Sequence, residues 1–230
     1  MDAAGLQKNS LIDYPGKVSC VVFLSGCNFA CPYCHNPELA RGEHPTRIPL
    51  GHLLDFVSER RHFLDGVVIT GGEPALHVDL PDWCRAFRRK GLAVKLDTNG
   101  SRPDVLTKLI HEKTIDYIAM DIKTTPSGYG PPLCPSTDAR HITHSIDLIM
   151  DSGLPYEFRT TCARPFIDRA NIDAIGRAIE NARQWTLHTF QPNTLLKPDF
   201  YGHSNPGFSP EAMTDLQQAA ARWVRTCFIR

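Results

Sequence analysis

Ser25-Gly26-Cys27-Asn28-Phe29-Ala30-Cys31-Pro32-Tyr33-Cys34-His35-Asn36-Pro37 places three thiols at a C-x3-C-x2-C spacing, directly after the apolar run Val18 to Leu24. Three thiols fall one short of a closed tetrahedral zinc site, which takes four ligands. They are also an odd number for disulfides. Cysteine thiolates do hold iron–sulfur clusters, and a cubane with three protein ligands leaves one iron open to bind and activate a small molecule. Two rivals stand beside that reading: a zinc loop that borrows His35, and a set of inert buried cysteines.

The rest of the chain alternates apolar runs with helical patterns. Residues 1–17 read as an irregular lead-in with a turn at Tyr14-Pro15-Gly16, and Lys17 to Leu24 as a buried strand that ends at Gly26. Leu50 to Leu64 reads as an amphipathic helix with Leu53, Leu54, Val57 and Phe63 on its core side. Gly66 to Thr70 is a second strand running into Gly71-Gly72-Glu73-Pro74, followed by a helix from Leu80 to Lys90 that Gly91 closes with a left-handed cap. Ala93 to Leu96 leads to Asp97-Thr98-Asn99-Gly100, and Pro103 opens a helix to Lys113. Ile115 to Ile122 carries Asp121-Ile122-Lys123 at its end, and a Pro- and Gly-rich loop spans 124–136. A helix over 137–152, a strand over 156–162, a helix over 168–182 capped by Asp168 or Asn171, and a strand over 186–190 ending in Gln191-Pro192-Asn193 complete the core. A last helix runs from Ser209-Pro210-Glu211 to about Thr226.

Six strands alternating with helices is βα logic with a parallel sheet. Six units are two short of a closed eight-stranded barrel, so the expected fold is α/β, a partial, open parallel βα barrel. It is read as a single domain, with a lead-in over 1–17, barrel core over 18–190 and a C-terminal loop and helix over 191–230. Ligands of such sheets bind at the carboxyl ends of the strands. The cysteine loop, Gly71–Pro74, Asp97–Asn99, Asp121–Lys123, Arg159–Thr161 and Gln191 all fall there, and are expected on one face.

The cysteine loop resembles that of the radical S-adenosylmethionine enzymes, in which C-x3-C-x-aromatic-C follows the first barrel strand. Cys34-His35-Asn36-Pro37-Glu38 resembles the activases of glycyl-radical enzymes. Gln7-Lys8-Asn9-Ser10-Leu11-Ile12-Asp13-Tyr14-Pro15-Gly16-Lys17 resembles activating proteins of anaerobic ribonucleoside-triphosphate reductase. The likeness is carried by residues 5–40, recurs as short motifs to about 123, and fades beyond.

The resemblance implies that Cys27, Cys31 and Cys34 hold one 4Fe-4S cluster whose open iron is chelated by S-adenosylmethionine. It implies Gly72, with Glu73 in support, at the methionine amino group, Lys123 at the carboxylate, and Tyr33 near the adenine. Asp97 and Asp121 would hold polar groups or a monovalent cation nearby, and Asn99 would be a further cofactor-binding residue; Arg159 and Gln191 match inward strand ends. Judged by residue type alone, Asp97 and Asp121 are turn caps, and Tyr33 simply packs the loop. The implied reaction is reductive cleavage of the cofactor and abstraction of hydrogen from a glycine of a partner enzyme. The implied electron donor is a low-potential protein such as flavodoxin or ferredoxin. Ser127-Gly128-Tyr129-Gly130 lacks the Arg-Val that precedes a glycyl-radical site and reads as a flexible loop.

Composition narrows the partners. Lys and Arg number 25 and Asp and Glu 25, so no net field attracts nucleic acid or a membrane surface. No apolar run approaches a membrane span, and eight cysteines without an apolar leader fit the reducing cytoplasm. None of Cys20, Cys84, Cys134, Cys162 and Cys227 forms a second C-x2-C group, so one cluster is expected. The rivals are a radical enzyme acting on a small molecule, a peptide or tRNA, and a zinc-binding interaction module.

Overall fold

The computed structural model describes residues 1–135, 139–192 and 194–230. The expected helix start at Thr137, and Asn193, lie outside the described residues. The chain forms two compact units: residues 1–28, 38–98 and 104–118 make the first, and 29–37, 99–103 and 119–230 the second.

The first unit holds β1 (Asp2–Ala3), β2 (Gly5–Ser10), β3 (Ser19–Leu24), β4 (Ile48–Pro49), β5 (Gly66–Gly71) and β6 (Ala93–Thr98), with most of α1 (Pro37–Arg41), then α2 (Leu50–Glu59), α3 (Leu80–Arg89) and nearly all of α4 (Pro103–His111). β3, β5 and β6 run parallel and in order, with Ser19 level with Gly66 and Gly66 with Ala93. These are the strands the apolar runs predict: Val21, Val22, Leu24, Val67, Val68, Ile69, Val94 and Leu96 are all buried. α3 covers them with Leu80, Trp83, Cys84 and Phe87, and Gly91 takes a positive φ of 83° to end it, as expected. Fully burying a side chain of this size is worth roughly 1.5–3 kcal/mol.

Three expectations for this unit need correction. The lead-in is not irregular: β2 pairs antiparallel with β3, and β1 with β4. Gln7, Lys8 and Asn9 face solvent, so β2 is held by backbone pairing and shows no apolar alternation to read. α2 stops at Glu59, and Arg60 caps the turn in which Phe63 N–H and Leu64 N–H both donate to the Arg60 carbonyl. Phe63 is therefore exposed, not core.

The second unit takes over within β7 (Tyr117–Asp121) and continues through α5 (Ala139–Asp151), β8 (Tyr156–Cys162), α6 (Arg169–Ala178), β9 (Trp185–Thr189), α7 (Pro210–Ala220) and β10 (Cys227–Ile229). The strand order is β7, β8, β9, β10, with β8, β9 and β10 parallel. Phe158, Trp185, Ile142, Ile146, Ile149, Ile172 and Ile175 fill its core. Asp168 caps α6 by accepting from Asn171 N–H at 2.7 Å while the Asn171 side chain accepts from Asp168 N–H at 3.0 Å, so both candidate caps act. The last helix ends at Ala220 rather than near Thr226, and Cys227–Ile229 adds a further strand beside β9. The six strands expected from the sequence are thus joined by an antiparallel strand beside β3 and a short parallel strand beside β9.

Candidate functional site

In the first unit the end of β3 and the end of β5 are stitched together by backbone. Gly72 N–H donates to Leu24 O and Glu73 N–H to Gly26 O, both at 2.8 Å. Gly71 has φ +123°, and a Cβ there would stand 2.1 Å from Leu24 O; a Cβ on Gly72 would stand 2.0 Å from Gly26 O. Both glycines are therefore required by the packing of the cysteine-loop entry itself. That entry is also tied to α1, whose Leu39 and Ala40 carbonyls accept from Gly26 N–H and Cys27 N–H at 2.6 and 3.0 Å.

Glu73 is fully buried and accepts from Ala75 N–H at 2.9 Å and Thr98 Oγ1–H at 2.8 Å. It braces the turn after β5 against the end of β6. His77 Nε2–H donates to Ser25 O at 3.0 Å, and burial holds its imidazole below the usual range. Asp97 points from the end of β6 and is ion-paired with Lys95 Nζ, whose own side chain is buried and lies 5.8 Å from the Tyr117 ring centre.

In the second unit, three charges meet at the ends of β7 and β8. Arg159 Nε donates to Asp121 Oδ1 at 2.8 Å, and Lys123 Nζ to Asp121 Oδ2 at 2.9 Å. Burial opposes the charge on Asp121, but Arg159 and then Lys123 outweigh it and hold the carboxyl far below its ordinary value. Burial likewise opposes the Lys123 ammonium, and Asp121 and then Cys31 overcome it. Asn99 is buried and turns the chain by accepting from Ser101 N–H at 2.9 Å. Gln191 is exposed on the loop after β9.

The cysteine loop within this unit is held from two sides. Ala30 N–H donates to Leu133 O at 2.7 Å, while Leu196 N–H and Lys197 N–H donate to Cys34 O and Pro32 O at 3.1 and 3.2 Å. Tyr33 is buried, its ring centre 5.5 Å from that of Phe166, and its hydroxyl has no hydrogen-bond partner among the described residues. Tyr129 corrects the expectation of a flexible loop: it is buried, its ring 5.9 Å from Phe29, and its hydroxyl accepts from Lys123 N–H at 2.9 Å. Burial, then Cys31, holds up the Tyr201 phenol, and its hydroxyl is also buried without a partner among the described residues. Phe190 and Tyr201 line a cleft of about 450 Å³ with Pro192, Leu195, Pro198 and Pro206.

Sequence reasoning missed Tyr129, Tyr201 and His188. His188 lies on β9 level with Thr161 of β8, and its Nε2 is buried without a hydrogen-bond partner among the described residues. Burial and Arg159 hold its imidazole low. The available signal was strand alternation, since His188 shares a face with Thr186, which is level with Arg159.

The residues suit an iron–sulfur cofactor by their donor chemistry: the only C-x3-C-x2-C run, and two buried phenol donors in the unit that contains Cys31 and Cys34. Among the described residues, no three Cys, His, Asp or Glu side chains are gathered as a ready-made metal group. Asp97 and Asp121, expected near a monovalent cation, each already have a protein cation as partner. No described helix is long and apolar enough to cross a membrane.

The βα order and the strand-end residues define a partial, open α/β barrel. The same fold is seen in the Streptococcus suis SuiB bound to precursor peptide SuiA, with a TM-score of 0.67 at 13% identity over 90% of this chain and 48% of that one. Residues 21–182 match the family model for the radical SAM superfamily. Over 99% of this chain and 95% of the relative, it is 32% identical to a Methanocaldococcus jannaschii protein that carries the provisional name glycyl-radical enzyme activating enzyme. It is 33% identical to the pyruvate formate-lyase 1-activating enzyme of Escherichia coli K12 over 49% of this chain, spanning 48% of that enzyme. The chain belongs to the radical SAM superfamily, whose enzymes use a 4Fe-4S cluster and S-adenosylmethionine.

Proposed function

We propose that this enzyme is an activase of a glycyl-radical enzyme. The observation that carries the reading is its 32% identity, over 99% of its length, to a relative named for that activity. The pyruvate formate-lyase 1-activating enzyme, similar over half of the chain, supports it. Cys27, Cys31 and Cys34 would hold the cluster. When bound, cluster and cofactor together supply an electron and a 5′-deoxyadenosyl radical able to take hydrogen from a glycine backbone.

The chain's own residues then bind and orient. Gly72 and Glu73 meet the methionine amino group, with Glu73 fixed by Thr98. Lys123 takes the carboxylate. Asp121 is kept ionised by Arg159, and with Asp97, Asn99 and Gln191 it serves the polar groups of the cofactor. Tyr33 packs near the adenine. A monovalent cation would have to compete with Lys95 at Asp97 and with Arg159 and Lys123 at Asp121, so these ion pairs take over most of its charge-balancing role. The cleft beside Phe190 and Tyr201 offers the partner's loop an apolar wall. The partner is anaerobic ribonucleoside-triphosphate reductase, on the strength of the Gln7–Lys17 stretch, and a flavodoxin or ferredoxin supplies the electron.

The test is anaerobic: the iron-loaded protein, dithionite, S-adenosylmethionine and the candidate reductase, followed by paramagnetic resonance. A glycyl doublet on the reductase, matched by 5′-deoxyadenosine, supports the whole reading. Cleavage with no doublet on that reductase but one on another glycyl-radical enzyme would replace the partner and keep the class. Cleavage with no glycyl radical on any such enzyme would move the activity to a small molecule, a peptide or tRNA.

A further inference from the structure

Among the described residues, Lys95 is the only lysine or arginine that is buried, with 1% of its surface exposed. It stands on β6 level with Val68 of β5, itself level with Val21 of β3, and both valines are buried. Taking an ammonium out of water is costly, and an apolar side chain of similar volume often serves a core as well or better. Packing of the sheet therefore does not account for a lysine at this position.

The surroundings of Lys95 are built to hold its charge. Lys95 and Asp97 are two apart on β6 and share a face, and Lys95 Nζ donates to Asp97 Oδ1 near the carboxyl end of the strand. The Tyr117 ring centre lies 5.8 Å from the same nitrogen, within the range at which a ring attracts a cation. Tyr117 is steadied in turn by Tyr14, their ring centres 5.8 Å apart and tilted by 59°. Tyr14 lies over Gly66, where a Cβ would stand 3.0 Å from its ring. All five residues belong to the first unit, and the column they form runs from the amino end of β5 at Gly66 to the strand-end carboxylate of Asp97.

We propose that Lys95 is a positioning residue of the cofactor site, a built-in monovalent cation that fixes the Asp97 carboxylate. The Asp97 side chain is only 12% exposed. A carboxylate that buried, deprived of a nearby positive charge, takes up a proton or turns toward water. Either change removes the acceptor that Asp97 offers. With Nζ in place the carboxylate keeps one orientation and needs no ion from solution. Lys95 itself makes and breaks no bond. The proposal rests on the reading that Asp97 serves the polar groups of S-adenosylmethionine.

The experiment compares wild type with Lys95→Met, which keeps the stem and removes the charge. Both proteins are loaded anaerobically with iron and sulfide, and their affinity for S-adenosylmethionine is measured by equilibrium dialysis without reductant. Buffers of equal ionic strength contain ammonium, potassium or tetramethylammonium chloride, the last ion being too bulky for the space an ammonium group leaves. Wild type should bind equally in all three. Lys95→Met should bind about tenfold more weakly in tetramethylammonium and regain most of that affinity in ammonium or potassium, with its iron content unchanged. A loss of the same size in every salt would make Lys95 a packing residue and overturn the proposal. So would full affinity of Lys95→Met in tetramethylammonium, or a wild type that itself requires potassium or ammonium. Should Lys95→Met fail to accumulate, Lys95→Gln, uncharged but still able to donate to Asp97, is put through the same salts with the same expectation. A loaded wild type that binds no S-adenosylmethionine in any salt would instead overturn the cofactor reading beneath.

Discussion

A Cβ on Gly72 would lie 2.0 Å from the carbonyl oxygen of Gly26, well inside contact distance and against backbone, which cannot swing aside. The same Gly26 oxygen accepts from Glu73 N–H, so pushing it away breaks the link that seats the cysteine loop on β5. Gly72→Ala should therefore destabilise the protein by about 1–3 kcal/mol or more, and reduce iron uptake with it. Gly51 of α2 has nothing within 4 Å of its would-be Cβ, so Gly51→Ala should be neutral or mildly stabilising. Urea unfolding of both variants decides the matter; equal stabilities would mean that the approach of Gly72 to Gly26 is not as close as described.

Asp121 gives a pH dependence of known sign. Its folded pKa lies below the ordinary carboxylate value of 3.8, because Arg159 and Lys123 outweigh burial. A carboxyl depressed on folding contributes stability above its unfolded pKa and loses it as the pH falls through the folded value. Asp121→Asn should cost roughly 1–3 kcal/mol near neutrality, discounted because the three side chains are partly solvated. The gap between wild type and variant should be full at pH 6 and narrow below about pH 4. Thermal midpoints measured from pH 7 down to 3 would show it, and a gap that widens on acidification would contradict the pairing.

Much of this was legible in the sequence because the barrel strands are continuous apolar runs and their ends carry glycine or polar residues. Val67 to Ile69 and Val94 to Leu96 need no tertiary knowledge to be read as strands. What was not legible depends on partners distant in the chain. β2 is polar on its outer residues and exists because β3 offers an edge; β10 is three residues long and exists because β9 does. Phe63 continued the apolar period of α2, but the helix had already closed at Arg60. Among site residues, the cysteine spacing stood out by type and Gly72 only through the family resemblance, whereas the close approach of Gly26 that makes Gly72 necessary did not. Tyr129 and Tyr201 lie in segments without periodicity, and only the fold reveals that Tyr129 is buried beside Phe29 and that the Tyr201 hydroxyl is shut away from solvent.

Glu73 separates support from ligand contact. Its carboxylate is fully buried and oriented by Thr98 Oγ1–H. Thr98→Val keeps the shape and removes the donor, leaving one side of a buried acceptor unmet at a cost of about 1–3 kcal/mol. If Glu73 braces the turn that presents Gly72, the apparent affinity for S-adenosylmethionine should weaken while the iron content holds. Isothermal titration of the loaded variant checks this. Unchanged affinity together with the expected loss of stability would make Thr98 and Glu73 structural only.

The cysteines provide the sharpest contrast, because two chemically identical residues are predicted to behave oppositely. Cys84 is fully buried on α3, where burial pushes its thiol up to about 12. It is therefore an uncharged apolar side chain at any working pH, and Cys84→Ala should cost roughly 0.5–3 kcal/mol of stability with no effect on the cluster. Cys31 lies between the Ala30–Leu133 and Cys34–Leu196 backbone anchors of its loop, and the cubane reading needs it as one of only three thiolates. Cys31→Ala should leave the barrel folded, lower the iron content and abolish 5′-deoxyadenosine formation, with Cys27→Ala and Cys34→Ala doing the same. Iron, sulfide and product measured side by side in the four variants tests the assignment. Product at the wild-type level from Cys31→Ala, or its loss from a well-folded Cys84→Ala, would show that the thiols were assigned to the wrong roles.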